Sequence, residues 1–133
     1  MATVAQIRAG IKARLDTIAG LRTHAVMPAA LNAPAAVVFR RTTTFDTSLD
    51  GQSDDLTCGI TLFVEFGNER TAQEALDAYL APAGALSVKA AVDGDPTLGG
   101  VVDFARVAGA EADRIVEWSN IKYLAADLVV EVG

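Results

Sequence analysis

The sequence predicts an α+β fold: a mostly antiparallel β-sheet with an N-terminal helix and two central helices packed on one face, in a single domain over residues 1–133. Three observations predict it. Val4, Ile7, Ile11, Leu15 and Ile18 recur at helical spacing near the start of the chain. Apolar residues alternate with a period of two over residues 56–66 and again over 121–132, which is strand spacing. Between those two strands lie two stretches with helix caps at their starts and proline or glycine at their ends.

The first element is an amphipathic helix over about residues 4–18. Thr3 and Gln6 have capping-box spacing, and Gly20 ends the helix. Arg8, Lys12, Arg14 and Asp16 fall off the apolar stripe, which predicts a basic outer face. Residues 21–27 and 35–41 read as short strands whose connection is marked by Pro28 and Pro34. Residues 42–55 are polar and turn-rich, with Asp50-Gly51 as a strong turn signal, and predict a long hairpin arm or loop. Leu56, Cys58, Ile60, Leu62, Val64 and Phe66 then form one side of a long, half-buried antiparallel strand.

Either Asn68 or the Thr71/Glu74 box can cap the second helix, whose apolar side is Ala75, Leu76, Tyr79 and Leu80 and whose end is set by Pro82 and Gly84. Ser87 caps a short third helix that runs through Val92 to Gly94. Asp95-Pro96 opens a turn, and Gly99-Gly100 releases the chain into a strand near 101–109. Strands near 114–118 and 121–132 complete the domain.

A hydrophobic share of 51% with 21% charged residues places the chain among globular domains and away from disordered ones. The net charge of −6 argues against tracking nucleic acid, because that affinity comes from cations neutralising phosphates. The charge is unevenly spread: residues 1–41 carry six cations and one acid, whereas residues 42–133 carry five cations and sixteen acids. Such charges can pair within one subunit or face solvent. They can also set a basic patch of one subunit against an acidic patch of the next, head to tail. No stretch has the length and apolarity of a signal segment or a membrane span.

Candidate chemistry is sparse. A single cysteine, Cys58, lies in an apolar run and reads as a small core residue. The single histidine, His24, has no second imidazole with which to build a triad or a multi-histidine metal site. Asp46-Thr47-Ser48-Leu49-Asp50-Gly51 is like the start of a calcium loop, but the twelfth position, where a bidentate Glu belongs, is Thr57. Asp54/Asp55 and Asp93/Asp95 are carboxylate pairs of the kind used as general acid and base. Among seventeen acids such pairs arise by chance, and no catalytic residue, cofactor or metal ligand is expected. In a chain that is only 6% aromatic, Phe45 is a candidate interface anchor, and Trp118 reads equally as a partly buried strand residue or as such an anchor.

Residues 69–80 (ERTAQEALDAYL), 87–92 (SVKAAV) and 95–102 (DPTLGGVV) together resemble the tail terminator proteins of long-tailed bacteriophages. The similarity extends to the N-terminal helix, the Ile18 to Leu21 turn and the closing Val130-Glu131-Val132; it weakens over 40–56 and 111–120. The resemblance implies a structural virion protein rather than an enzyme, located at the head-tail junction. It implies a homohexameric ring on the head-proximal end of the tail tube. That ring would stop polymerisation of the major tail tube protein and offer a docking face to the head-side stopper, while DNA passes through the lumen unbound. The expected contact regions are the 42–55 arm and the basic first helix, giving Arg8, Lys12, Arg14, Arg40, Arg41, Phe45, Asp46, Asp50, Asp54, Asp55 and Trp118 as candidate interface residues. Two other readings stand beside it: a different phage neck component, such as a head-completion or adaptor protein, and a small-molecule-binding or enzymatic α+β domain.

Overall fold

The structure is a computed structural model that describes residues 3–25, 32–44, 55–111, 113–118 and 120–132. It is an α+β domain in the order α1 (Val4–Leu15), β1 (Arg22–His24), β2 (Ala35–Thr44), β3 (Asp55–Glu65), α2 (Glu69–Leu80), α3 (Val88–Asp93), β4 (Ala105–Ala110), β5 (Arg114–Trp118), β6 (Ile121–Val132). One mixed sheet runs β1-β2-β3-β6-β4, with β5 also on β6. The β1/β2 pair is parallel, and the other pairings are antiparallel.

Local chemistry sets most boundaries. Thr3 and Gln6 form the full capping box of α1. The helix stops at Leu15, earlier than the periodicity predicts; Ile18 still reaches the core after a turn that Gly20 completes at φ +79. For α2 the cap is Asn68, whose side chain accepts from the Thr71 amide. Ser87 caps α3, accepting from the Ala90 amide while its own hydroxyl donates to the Ala81 carbonyl. The strand expected near 101–109 begins only at Ala105, because residues 94–104 form turns held by Asp95 and by left-handed Leu98, Gly99 and Gly100.

β4 and β5 lie successively along the same side of β6, so the three strands form one long, interrupted hairpin with a turn at Asn120. Asn120 takes the left-handed conformation there (φ +65), which its short polar side chain tolerates better than most. Register then assigns faces. Leu56, Cys58, Ile60, Leu62 and Val64 of β3 share one face with Leu124, Ala126, Leu128, Val130 and Val132 of β6. The helices cover that face, and Ile7, Ile11, Leu15, Leu76, Val88 and Val92 complete the main core.

The other face is not simply polar. Ala35, Val37, Phe63, Tyr123 and Ala125 form a second buried cluster, with Phe63 and Tyr123 edge to face at 6.2 Å. The expectation of a half-buried β3 is therefore corrected: Gly59, Thr61 and Phe63 are buried on the second side as well. Gly59 is required by close approach, since a Cβ there would lie 2.2 Å from the Phe39 ring.

Candidate functional site

Of the expected interface residues, Phe45, Asp46, Asp50 and Asp54, with most of the 42–55 arm and the calcium-like loop start, lie outside the described residues. Arg40 and Arg41 are in β2 at a register shift, Asp55 opens β3 and Trp118 ends β5; their backbones are described.

The basic residues of α1 are placed differently from the expected outer face. Ala5, Ala9 and Ala13 are exposed, whereas Arg8, Lys12 and Arg14 are half-buried at the flanks of the apolar stripe. Arg14 crosses to α3, where its Nε donates to the Ala91 carbonyl at 2.8 Å. Its guanidinium also lies against Gly94, where a Cβ would sit 2.6 Å from Nη2. A cation thus closes an open carbonyl in the last turn of α3. Lys12 pairs with Asp16 at 3.0 Å, and Asp16 also accepts from the Thr23 hydroxyl, tying α1 to β1. Partial burial alone would raise the Asp16 carboxyl; the bonds from Thr23 and Lys12 and the nearby ammonium outweigh it and hold the group below its usual range. Arg8 has a buried Nε with no hydrogen-bond partner. Nearby Cys58 is fully buried, and burial pushes its thiol up to about 11 against the opposing charge of Arg8.

The carboxylates considered for acid-base work are occupied by the fold. Asp93 accepts from the Val107 amide at 3.2 Å and pairs with Lys89, pinning α3 to β4. Asp95 accepts from the Gly99 amide and the Thr97 hydroxyl. A third carboxylate matters more than sequence reasoning allowed. Asp127 takes the Thr61 hydroxyl at 2.7 Å and both Nη atoms of Arg114 at 3.0 and 3.3 Å, on the sheet face away from the helices. The hairpin register could have found this pair, because it sets Arg114 opposite Ala125 and hence diagonal to Asp127.

Topology then places an exposed cation and a set of exposed acids at opposite edges of one sheet. Arg22 is exposed on the edge strand β1, where its Nη1 donates to the Ala33 carbonyl and among the described residues it has no carboxylate partner; Arg8 and Arg14 also lack one, but they turn inward, Arg8 toward Cys58 and Arg14 to α3. At the other edge, Arg106 and Arg114 are neutralised by Glu131 and Asp127. Asp103, Asp113 and Glu117 are exposed there without a described cation partner. Ile115, in the same strand as Glu117, is 58% exposed.

One open hollow of about 660 Å³ lies at the end of the sheet, lined by Arg22, Asn32, Glu65, Phe66, Lys122 and Tyr123 among others. It mixes both charge signs and gathers no nucleophile with a base. Among the described residues no group of three His, Cys, Asp or Glu could hold a metal ion, and no helix is long and apolar enough to cross a membrane. No family model matches the chain, and no curated protein matches it.

Proposed function

We propose that this chain is a structural ring subunit of a long-tailed bacteriophage, the tail terminator, which caps the head-proximal end of the tail tube and presents the docking face for the head-side stopper. One observation carries the reading: exposed Arg22, with no described carboxylate partner, stands on the edge strand β1, and exposed Asp113 and Glu117, with no described cation partner, stand at the β5 edge on the opposite side of the same sheet. That arrangement suits a subunit meeting copies of itself head to tail. The resemblance of residues 69–80, 87–92 and 95–102 to tail terminators supports the tail tube as the assembly. The engagement of Asp93, Asp95 and Asp127 in the fold favours a structural role over acid-base chemistry.

The mechanism is competitive capping. Tube subunits add through heterologous contacts that have no built-in end, so a ring whose lower face fits the tube and whose upper face does not ends growth. The acidic surplus of residues 42–133 suits a lumen through which DNA passes, because like charges keep phosphates from adhering. Electron microscopy of particles assembled without this chain tests the proposal, with overlong, headless tails as the expected result. Tails of normal length that fail to join heads would move the protein to the head side of the neck, and normal particles would overturn a neck function altogether.

A further inference from the structure

We infer that copies of this chain dock edge to edge in one orientation, the α1/β1 edge of one copy against the β4/β5 edge of the next. The inference deepens the ring reading and rests on it for closure of the contact into a ring. Unlike charges draw these two edges together, and like charges disfavour the alternatives. Two α1/β1 edges would bring the Arg22 residues face to face, and two β4/β5 edges would oppose Glu117 and Asp113 to their own copies. A two-fold contact between equal edges is therefore penalised, and the heterologous one is selected.

Three further features fit a second copy as the occupant. The acids of the β4/β5 edge are free because that edge's own arginines are already spent on Glu131 and Asp127. Lys122 stands opposite Glu117 in the hairpin register, yet the two form no ion pair, so Glu117 stays available. Ile115 adds an exposed apolar contact beside these acids, a combination that a purely solvated edge does not need.

The test is sedimentation velocity on the full chain from about 50 mM to about 500 mM salt, since exposed charges are screened over about 10 Å at 0.1 M. The expected result is association that weakens with salt. Arg22→Glu and Glu117→Lys, made separately, should each raise the association midpoint at least about tenfold in protein concentration. An equimolar mixture of the two variants should recover association, because each altered edge then finds its complement in the other variant. Asp113→Lys repeats the acidic arm, and Arg22→Gln repeats the basic arm at half the charge change, should either reversal fail to fold. A wild-type chain that stays monomeric throughout, single variants that associate like wild type, or a mixture no better than its components would each overturn the inference. Edge association that leaves tails unaffected would uphold it and remove the tail reading. Tail capping that survives both charge reversals would do the opposite.

Discussion

Arg14 and Gly94 form a coupled pair whose energetics can be worked out from their geometry. Arg14→Ala removes a charged hydrogen bond to the Ala91 carbonyl, about 1.5–3 kcal/mol for a bond of that type. It also removes a cation from the C-terminal end of α3, worth a further ~0.3–1 kcal/mol. Because Arg14 is half-buried rather than enclosed, the lower end of that range applies, giving a loss of about 2 kcal/mol. Gly94→Ala in the wild-type background drives a methyl to within 2.6 Å of the guanidinium and dislodges it, so it should cost about 1–2 kcal/mol by breaking the same bond. In the Arg14→Ala background that obstacle is gone. Gly94 has ordinary helical angles (φ −64, ψ −23), and the closest remaining neighbour of a Cβ is the Ala90 carbonyl oxygen at 3.1 Å, so alanine should be near neutral, that tight contact offsetting a gain of up to about 1 kcal/mol through the unfolded chain. Urea unfolding of the four proteins should therefore give a coupling energy of at least about 1 kcal/mol. Additivity within about 0.5 kcal/mol would show that the guanidinium does not hold the end of α3, and the reasoning would fail.

The remaining predictions concern β3 and its neighbours. Stability should fall between pH 9 and 11 as the unfolded chain loses the Cys58 proton that the folded chain retains, its ordinary value being 9.0 and its folded one about 11. The cost of Cys58→Ala should then shrink by about 2–3 kcal/mol across that window, and a cost independent of pH would contradict the burial argument. Gly59→Ala should cost about 1–3 kcal/mol and expose Phe39, with unchanged chemical unfolding as the contrary result. Asp127→Ala should cost about 1–3 kcal/mol by stranding the buried Thr61 hydroxyl, and Asp127→Asn should recover part of that loss in the same urea assay.

The elements legible from sequence were those whose cause is local. The Thr3/Gln6 box, the Ser87 cap, the alternation in β3 and the 114–118/121–132 hairpin depend on residues a few positions apart. The misplacements came where distant packing overrode local pattern. α1 ends at Leu15 because Ile18 reaches the core from a turn, and residues 101–104 remain outside β4 because Asp95 and Leu98 prolong the turns before it. The second cluster around Phe63 and Tyr123 was hidden because each residue alone reads as the outward side of a strand. For the site, the charge asymmetry was visible as numbers along the chain, but its meaning depends on sheet order. Arg14 could be assigned to an outer face only while its partner, 77 positions away at Ala91, was unknown.

That sheet order also separates stability from association in a way that makes the edge charges testable. The main core lies between the helices and one face, and the second cluster fills the opposite face, so neither depends on Arg22 or Glu117 for apolar burial. Glu117 has no described partner, and Arg22 gives up one hydrogen bond to a carbonyl. Reversing Arg22 should change stability by no more than an ordinary surface substitution, about 0.5 kcal/mol, apart from that one bond, and Glu117→Lys adds a like-charge pair with Lys122 opposite it, a cost of about 0.2–1 kcal/mol. Arg14 is the opposite case, because its cation is built into the packing of α3 against α1. A charge change there would lower stability and association together and could not tell them apart. The residues that best report on self-assembly are therefore those the fold does not use, and on the basic side the selection falls on Arg22 in β1 rather than on the first helix.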